Sequence, residues 1–235
     1  MRLNKFISET GACSRREADA WIEAGRVTVN GKPAALGTQV EAGDVVLVDG
    51  KPLAAPRKDI YIALNKPRGI ICTTERGVEG NIVDFIGHRE RIFPIGRLDK
   101  DSGGLILLTN NGDIVNEVLR VEHGHEKEYL VTVERPVTPM FLTMMAGGVK
   151  IGGEKTRPCV VKKTGPATFR IVLTQGLNRQ IRRMCSALGY RVQQLVRVRI
   201  MHIELGTLAS GRWRDLTEAE IKPLLAAGSA RIAAG

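Results

Sequence analysis

No stretch of this chain is apolar for long enough to cross a membrane. The longest runs, such as Leu105 to Leu108, fall far short of the roughly 20 residues a helical span needs. The opening MRLNKFISETG also lacks the apolar segment of a secretory signal, so a cytoplasmic protein is expected. The four cysteines, Cys13, Cys72, Cys159 and Cys185, include no Cys-x-x-Cys pair, which argues against a disulfide framework and a zinc knuckle and leaves buried thiols. Acid is missing from one long stretch. Between Lys155 and Ile203 there is no Asp or Glu, while Lys155, Arg157, Lys162, Lys163, Arg170, Arg179, Arg182, Arg183, Arg191, Arg197 and Arg199 all fall there. Charge of one sign repels itself unless a ligand neutralises it, and a phosphate backbone is the usual ligand.

The 235 residues, 43% of them hydrophobic, suffice for one good core and a small accessory domain. A net charge of +10 and a pI near 9.8 favour a polyanionic partner. Residues 1–50 read as a unit: Leu3, Phe6 and Ile7 mark a first helix, and Ser14-Arg15-Arg16-Glu17 has capping-box spacing for a second, with Ala18, Trp21 and Ile22 as its buried stripe. Val27 to Val29 followed by Asn30-Gly31 predicts a hairpin, and Val45 to Val48 a closing strand. All the bases of this unit, Arg2, Lys5, Arg15, Arg16, Arg26 and Lys32, lie in its helix-helix-hairpin part, although its acids slightly outnumber them. Residues 51–58 read as a linker.

Beyond the linker, residues 59–226 suggest an α+β domain on a mixed, largely antiparallel sheet, followed by a frayed tail at 227–235. Strands are expected at Tyr61–Leu64, Gly69–Thr73, Leu105–Thr109, Glu128–Val133, Val160–Val161 and Phe169–Leu173. Helices are expected at Asp113–Arg120, Pro139–Ala146, Arg179–Leu188 and, behind the box Thr217-x-x-Glu220, Glu218–Ala226.

The densest polar cluster is IGRLDKDSGGLILL, residues 95–108, with Arg97, Asp99, Lys100 and Asp101 beside two glycines. A solvated turn is the plainest reading. Asp-x-Asp supplies too few ligands for a metal, and His123 and His125, two apart in a glycine-containing loop, form no His-x-x-x-His. A phosphate loop would need a Gly-Lys-Ser/Thr or Gly-x-Gly-x-x-Gly, and neither follows. A catalytic carboxylate would need cations from elsewhere. The segment Asn178–Leu188 can supply them: Ile181, Met184, Cys185 and Leu188 share one helical face, and Arg179, Arg182 and Arg183 another. Asn178 is a suitable N-cap and Gly189 a suitable stop.

Gly96-Arg97-Leu98-Asp99-x-Asp101-Ser102-x-Gly104-Leu105, then Lys127-Glu128-Tyr129, then Asn178 to Met184 resemble, in that order, the bacterial ribosomal RNA pseudouridine synthases. Residues 1–50 resemble their RNA-binding S4 domain. Asn65-Lys66-Pro67 and the phrases around Asp99 and Tyr129 are most similar to large-subunit enzymes. The resemblance implies isomerisation of uridine to pseudouridine without cofactor or metal, on 23S ribosomal RNA or a transfer RNA, by a monomer. It implies that Asp99 is the reacting carboxylate, that Arg182 pairs with it, and that the Tyr129 ring lies against the uracil. Arg97 would enter the RNA as the target leaves its stack, Lys127 and Ile181 would line the pocket, and Arg179 and Arg183 would meet RNA. Asp101 is expected only to shape the turn. A non-catalytic S4-domain protein of ribosome assembly is the alternative, since it accounts for the charge but leaves this trio idle.

Overall fold

Ser14 and Glu17 cap each other in the computed structural model: the Glu17 N–H donates to the Ser14 hydroxyl and the Ser14 N–H to the Glu17 carboxylate. Residues 1–54, 58–75, 77–119 and 124–229 are described. The chain divides into one unit of residues 1–60 with 89–91 and 110–112, and another holding the remainder.

In the first unit, α1 (Leu3–Glu9) and α2 (Arg15–Glu23) pack Leu3, Ile7, Ala18 and Ile22 against a small sheet. The strands β1 (Val27–Val29), β2 (Lys32–Pro33), β3 (Val46–Val48) and β4 (Lys51–Pro52) lie in the order β2-β1-β3-β4. Asn30 and Gly31 both take positive φ, 51° and 76°, the geometry that closes a two-residue hairpin. Asp49-Gly50 repeats it at 51° and 74°. Lys51 and Pro52 therefore belong to the sheet rather than to the expected linker, whose residues 55–57 lie outside the described residues.

The second unit is built on a nine-stranded sheet. Its strands are β5 (Tyr61–Lys66), β6 (Phe93–Ile95), β7 (Gly103–Thr109), β8 (Lys127–Val133), β11 (Val160–Gly165), β12 (Thr168–Leu173), β13 (Val192–Ile200), β14 (Ile203–Glu204) and β15 (Trp213–Asp215). The main order is β11-β12-β8-β13-β7-β5-β15, with β9 (Lys150–Ile151) and β10 (Glu154–Lys155) forming a separate hairpin. Among the described residues every strand pairing is antiparallel except β13 with β7, so the sheet is mixed as expected. One face buries Val131, Phe169, Ile171 and Leu195 under α5 (Pro139–Ala146) and α6 (Gln180–Ala187). The other buries Tyr61, Ala63, Leu105 and Leu107 with Ile114 of α4 (Gly112–Leu119) and Leu224 of α7 (Glu218–Ser229).

Three departures from expectation have local causes. Gly69–Thr73 is no strand, only a bridge from Ile71 to Asn81 at the head of α3 (Ile82–Ile86): the buried Lys66 ammonium donates to the Pro67 and Ile70 carbonyls and curls the segment back. β13 was not expected, because Gln193, Gln194, Arg197 and Arg199 break its apolar alternation. β11 runs on to Gly165, its Lys162 and Lys163 exposed at the sheet edge, where charge discourages pairing with another chain. The helix expected to end at Arg120 and the loop with His123 reach residues that are not described, as does the tail beyond Ser229, although α7 extends three residues past its expected end at Ala226.

α7 is held by its expected box. The Glu220 carboxylate accepts from Thr217 and from both guanidinium nitrogens of Arg214 at 2.7 and 2.6 Å. Those bonds, Arg214 first, hold Glu220 down at about 2 against an ordinary value of 4.5. Its contribution is complete above the unfolded value and lost as pH falls toward 2. Glu220→Gln should therefore cost about 1 kcal/mol at neutral pH and nothing near pH 2, measured by denaturant unfolding at both.

Candidate active site

The loop between β6 and β7 carries Arg97, Leu98, Asp99, Asp101 and Ser102 and is fastened from below. The Ser102 N–H donates to the Asp99 carbonyl at 3.0 Å, the Gly69 N–H to Lys100 at 2.7 Å, and the Leu98 N–H to the Cys72 sulfur at 3.4 Å. Leu98 and Ser102 are buried, while the Asp99 side chain keeps 29% of its exposure. Asp99 therefore looks outward from a rigid base.

It faces a pocket of about 210 Å³ in the second unit. Arg97, Lys127, Tyr129, Arg179, Ile181 and Arg197 line it together with Asp99. Sheet register brings Tyr129 and Arg197 side by side, since they are partners across β8 and β13, and beyond the pair Glu128 with Arg199 it joins Lys127 to Ile200. Thus the sequence-predicted Asp99, Tyr129, Arg97, Lys127, Arg179 and Ile181 share one cavity. Arg182 and Arg183 are not among its lining residues.

Arg182 does approach Asp99, but at 4.0 Å from Nε to Oδ2. Its hydrogen bonds go instead to the Asp101 carbonyl at 3.0 Å, the Ser102 hydroxyl at 3.2 Å and the Val192 carbonyl at 3.4 Å. In this geometry it clamps the loop. Arg179 donates both terminal nitrogens to Asp101 at 3.1 Å and lies 3.7 Å from Asp99. That fork, the first of its causes, holds the Asp101 carboxyl below its ordinary value. Asp101 is accordingly more than the turn-shaping residue expected.

The start of α6 corrects a second expectation. Arg179, not Asn178, is the N-cap, in left-handed conformation at φ 48° with no side-chain cap bond. Gln180 is buried and its side-chain oxygen accepts from the Leu177 N–H at 3.0 Å. Gly189, at φ 75°, follows the helix end as expected.

Arg197 and Lys66 received no role from the sequence. Arg197 is 3% exposed; its Nε donates to the Leu105 carbonyl at 2.7 Å, and one terminal nitrogen has no hydrogen-bond partner among the described residues. A buried donor left unpaired costs stability, and this one is free to meet an acceptor that enters the pocket. The only signal was an arginine at an inward position of an irregular strand. Lys127 is pushed below its ordinary value by burial and then by Arg197, and Lys66 likewise by burial first. The cavity is thus cationic on its floor and carboxylate-bearing at its lip.

In the first unit, Arg2, Arg15, Arg16, Arg26 and Lys32 are exposed. Arg26 forks onto Asp49 and lies 5.0 Å over the Trp21 ring, and Lys5 is 3.5 Å from Glu9. Arg15 and Arg16 occupy the first turn of α2, where the helix dipole disfavours cations.

The RNA pseudouridylate synthase family model matches residues 60–187 and the S4 domain model residues 1–46. The chain is 59% identical over 222 residues to the dual-specificity RNA pseudouridine synthase RluF of Salmonella typhi, covering 94% of this chain and 77% of that protein. It is 38% identical over 229 residues to the ribosomal small subunit pseudouridine synthase A of Salmonella typhimurium, covering 94% and 98%. A crystal structure of a pseudouridylate synthase matches with a TM-score of 0.69 at 30% identity, over 95% of this chain and 99% of that one.

Proposed function

This chain belongs to the RNA pseudouridylate synthase family, and we propose that it isomerises a uridine in a stem-loop of 23S ribosomal RNA through Asp99. The observation that carries the assignment of residues is the shared pocket: an outward carboxylate, a tyrosine and a buried arginine with an unspent donor.

The reaction breaks the bond from uracil N1 to the ribose, turns the base and rejoins it through C5, which loses its proton as N1 gains one. Product and substrate are isomers. The target must leave its stack to reach such a pocket, and Arg97, exposed at the rim, is placed to fill the gap. Asp99 supplies the carboxylate at the breaking glycosidic bond. Tyr129 lays its ring against the uracil, with Ile181 closing the apolar side. Arg197 gives its unpaired N–H to a uracil carbonyl, and Lys127 adds positive charge as the base detaches. Arg182 keeps the loop in place through Asp101 and Ser102.

Residues 1–50 recruit folded RNA and residues 59–226 perform the chemistry, in a cytoplasmic monomer. The relative from Salmonella typhi is named dual-specificity, so transfer RNA is the second substrate to assay. Mapping pseudouridines in ribosomal and transfer RNA from cells lacking the protein tests the assignment. One 23S site should vanish and return with the intact gene; release of free uracil, or no change, would contradict it.

The recruiting role has its own test. Arg15→Glu with Arg16→Glu removes two cations that are poorly placed for the helix and well placed for phosphate. The double variant should bind a target stem-loop more weakly and flatten the dependence of log affinity on log salt by about one unit per lost contact. An unchanged slope would remove this face from RNA binding.

A further inference from the structure

We propose that Asp101 is a positioning residue: a second carboxylate that engages the arginines around the loop so that the oxygens of Asp99 stay unspent. The inference rests on the reading of Asp99 as the reacting carboxylate. Two acids and two arginines meet here, and the distances are not shared evenly between the acids. Arg179 gives Asp101 a two-pronged fork at 3.1 and 3.1 Å but comes only within 3.7 Å of Asp99. Arg182 lies 3.6 Å from the Asp101 carboxylate and donates to the Asp101 carbonyl, yet its Nε stops 4.0 Å from Asp99 and has no hydrogen-bond partner among the described residues.

Separations of 3.7 and 4.0 Å are too long for hydrogen bonds and short enough for charge attraction. Asp99 thus feels two cations and gives up no lone pair to either. A carboxylate whose oxygens are not engaged by hydrogen bonds remains able to attack, whereas one gripped by a guanidinium fork is stabilised against attack.

The chain accepts strain to keep this arrangement. Arg179 sits in left-handed conformation, φ 48° and ψ 34°, at the point where α6 begins. A non-glycine residue there costs on the order of 1 kcal/mol. That turn aims its side chain at the loop instead of letting Asn178 cap the helix.

If Asp101 becomes Asn, its single amide oxygen can hold only one prong of the Arg179 fork and carries no charge, and Asp99, 3.7 Å away, is the carboxylate to which a small side-chain movement brings the guanidinium. Asp101→Asn should lower kcat at saturating RNA by about 10²-fold, with KM changing much less. Asp101→Glu, which keeps the charge and can receive the fork, should recover most of the loss. The decisive variant is Asp101→Asn combined with Arg179→Gln. Removing the cation that has collapsed onto Asp99 should raise kcat at least about tenfold above Asp101→Asn alone.

The experiment is single-turnover pseudouridine formation by the full chain on a ribosomal RNA transcript, with thermal unfolding of each variant alongside. A residue that merely shaped the turn would give losses that add, because deleting a second partner cannot restore it. A double variant at or below Asp101→Asn overturns the inference. Turnover by Asp99→Asn would instead overturn the reading beneath it, and the two failures are separately visible.

Discussion

Asp99→Asn should abolish pseudouridine formation, by at least ~10⁴-fold, while RNA affinity stays within a few-fold. The amide keeps the size and planarity of the carboxylate and loses the negative charge and the lone pair that attacks. Its surroundings make the comparison clean. Among the described residues Asp99 makes no close ion pair, Arg179 and Arg182 standing at 3.7 and 4.0 Å, and the loop beneath is fastened by Ser102, Gly69 and Cys72 rather than by its side chain. Loss of its charge should therefore leave the fold unchanged. Binding and single-turnover assays on one RNA separate the two effects, and substantial turnover by the variant would exclude Asp99 from the chemistry.

Gly104→Ala should do its damage through the fold. Gly104 has φ 98°, and a Cβ there would lie 2.3 Å from the Arg197 carbonyl oxygen and 2.6 Å from its nitrogen. Both atoms are backbone of β13 and cannot swing away. Overpacking of this kind costs about 1–3 kcal/mol, and the unfavourable backbone conformation adds about 1 kcal/mol or more. A total of about 3 kcal/mol is a large share of the stability of an ordinary domain. The displaced strand is also the one that carries Arg197 into the pocket, so the folded fraction should be inactive as well. Gly153→Ala is the control, because its φ of 94° is as strained but nothing lies within 4 Å of the added carbon. Unfolding free energies of the two from denaturant titration should differ by about 2 kcal/mol or more; similar values would mean that β7 and β13 can part without cost.

Local signals in the sequence were enough for the elements whose cause is local. Ser14 with Glu17 and Thr217 with Glu220 form their boxes, and Asn30-Gly31 turns its hairpin, because each needs only neighbours a few residues away. The candidate site was legible only through resemblance: Asp99, Tyr129 and Ile181 each sit in a compact motif similar to the family's, and the pocket gathers all three. Arg182 was legible as a cation near the loop, but not as the clamp of Asp101 and Ser102.

Tertiary structure alone decided what depends on distant partners. Asn178 looks like a cap by every local rule, yet Asp101, far away in sequence, draws Arg179 into that role. Arg197 looked like one more phosphate contact among eleven bases, and only the register of β13 against β8 and β7 turns it into the pocket floor. Lys66 stood in the sequence only as part of the motif Asn65-Lys66-Pro67, and the fold buries it completely. A side chain's own sequence sets its chemistry, but whether it meets water or a buried partner is set by strands and loops that are far apart in the chain, as Arg197 is from Tyr129 and Gly104, and no local window contains them.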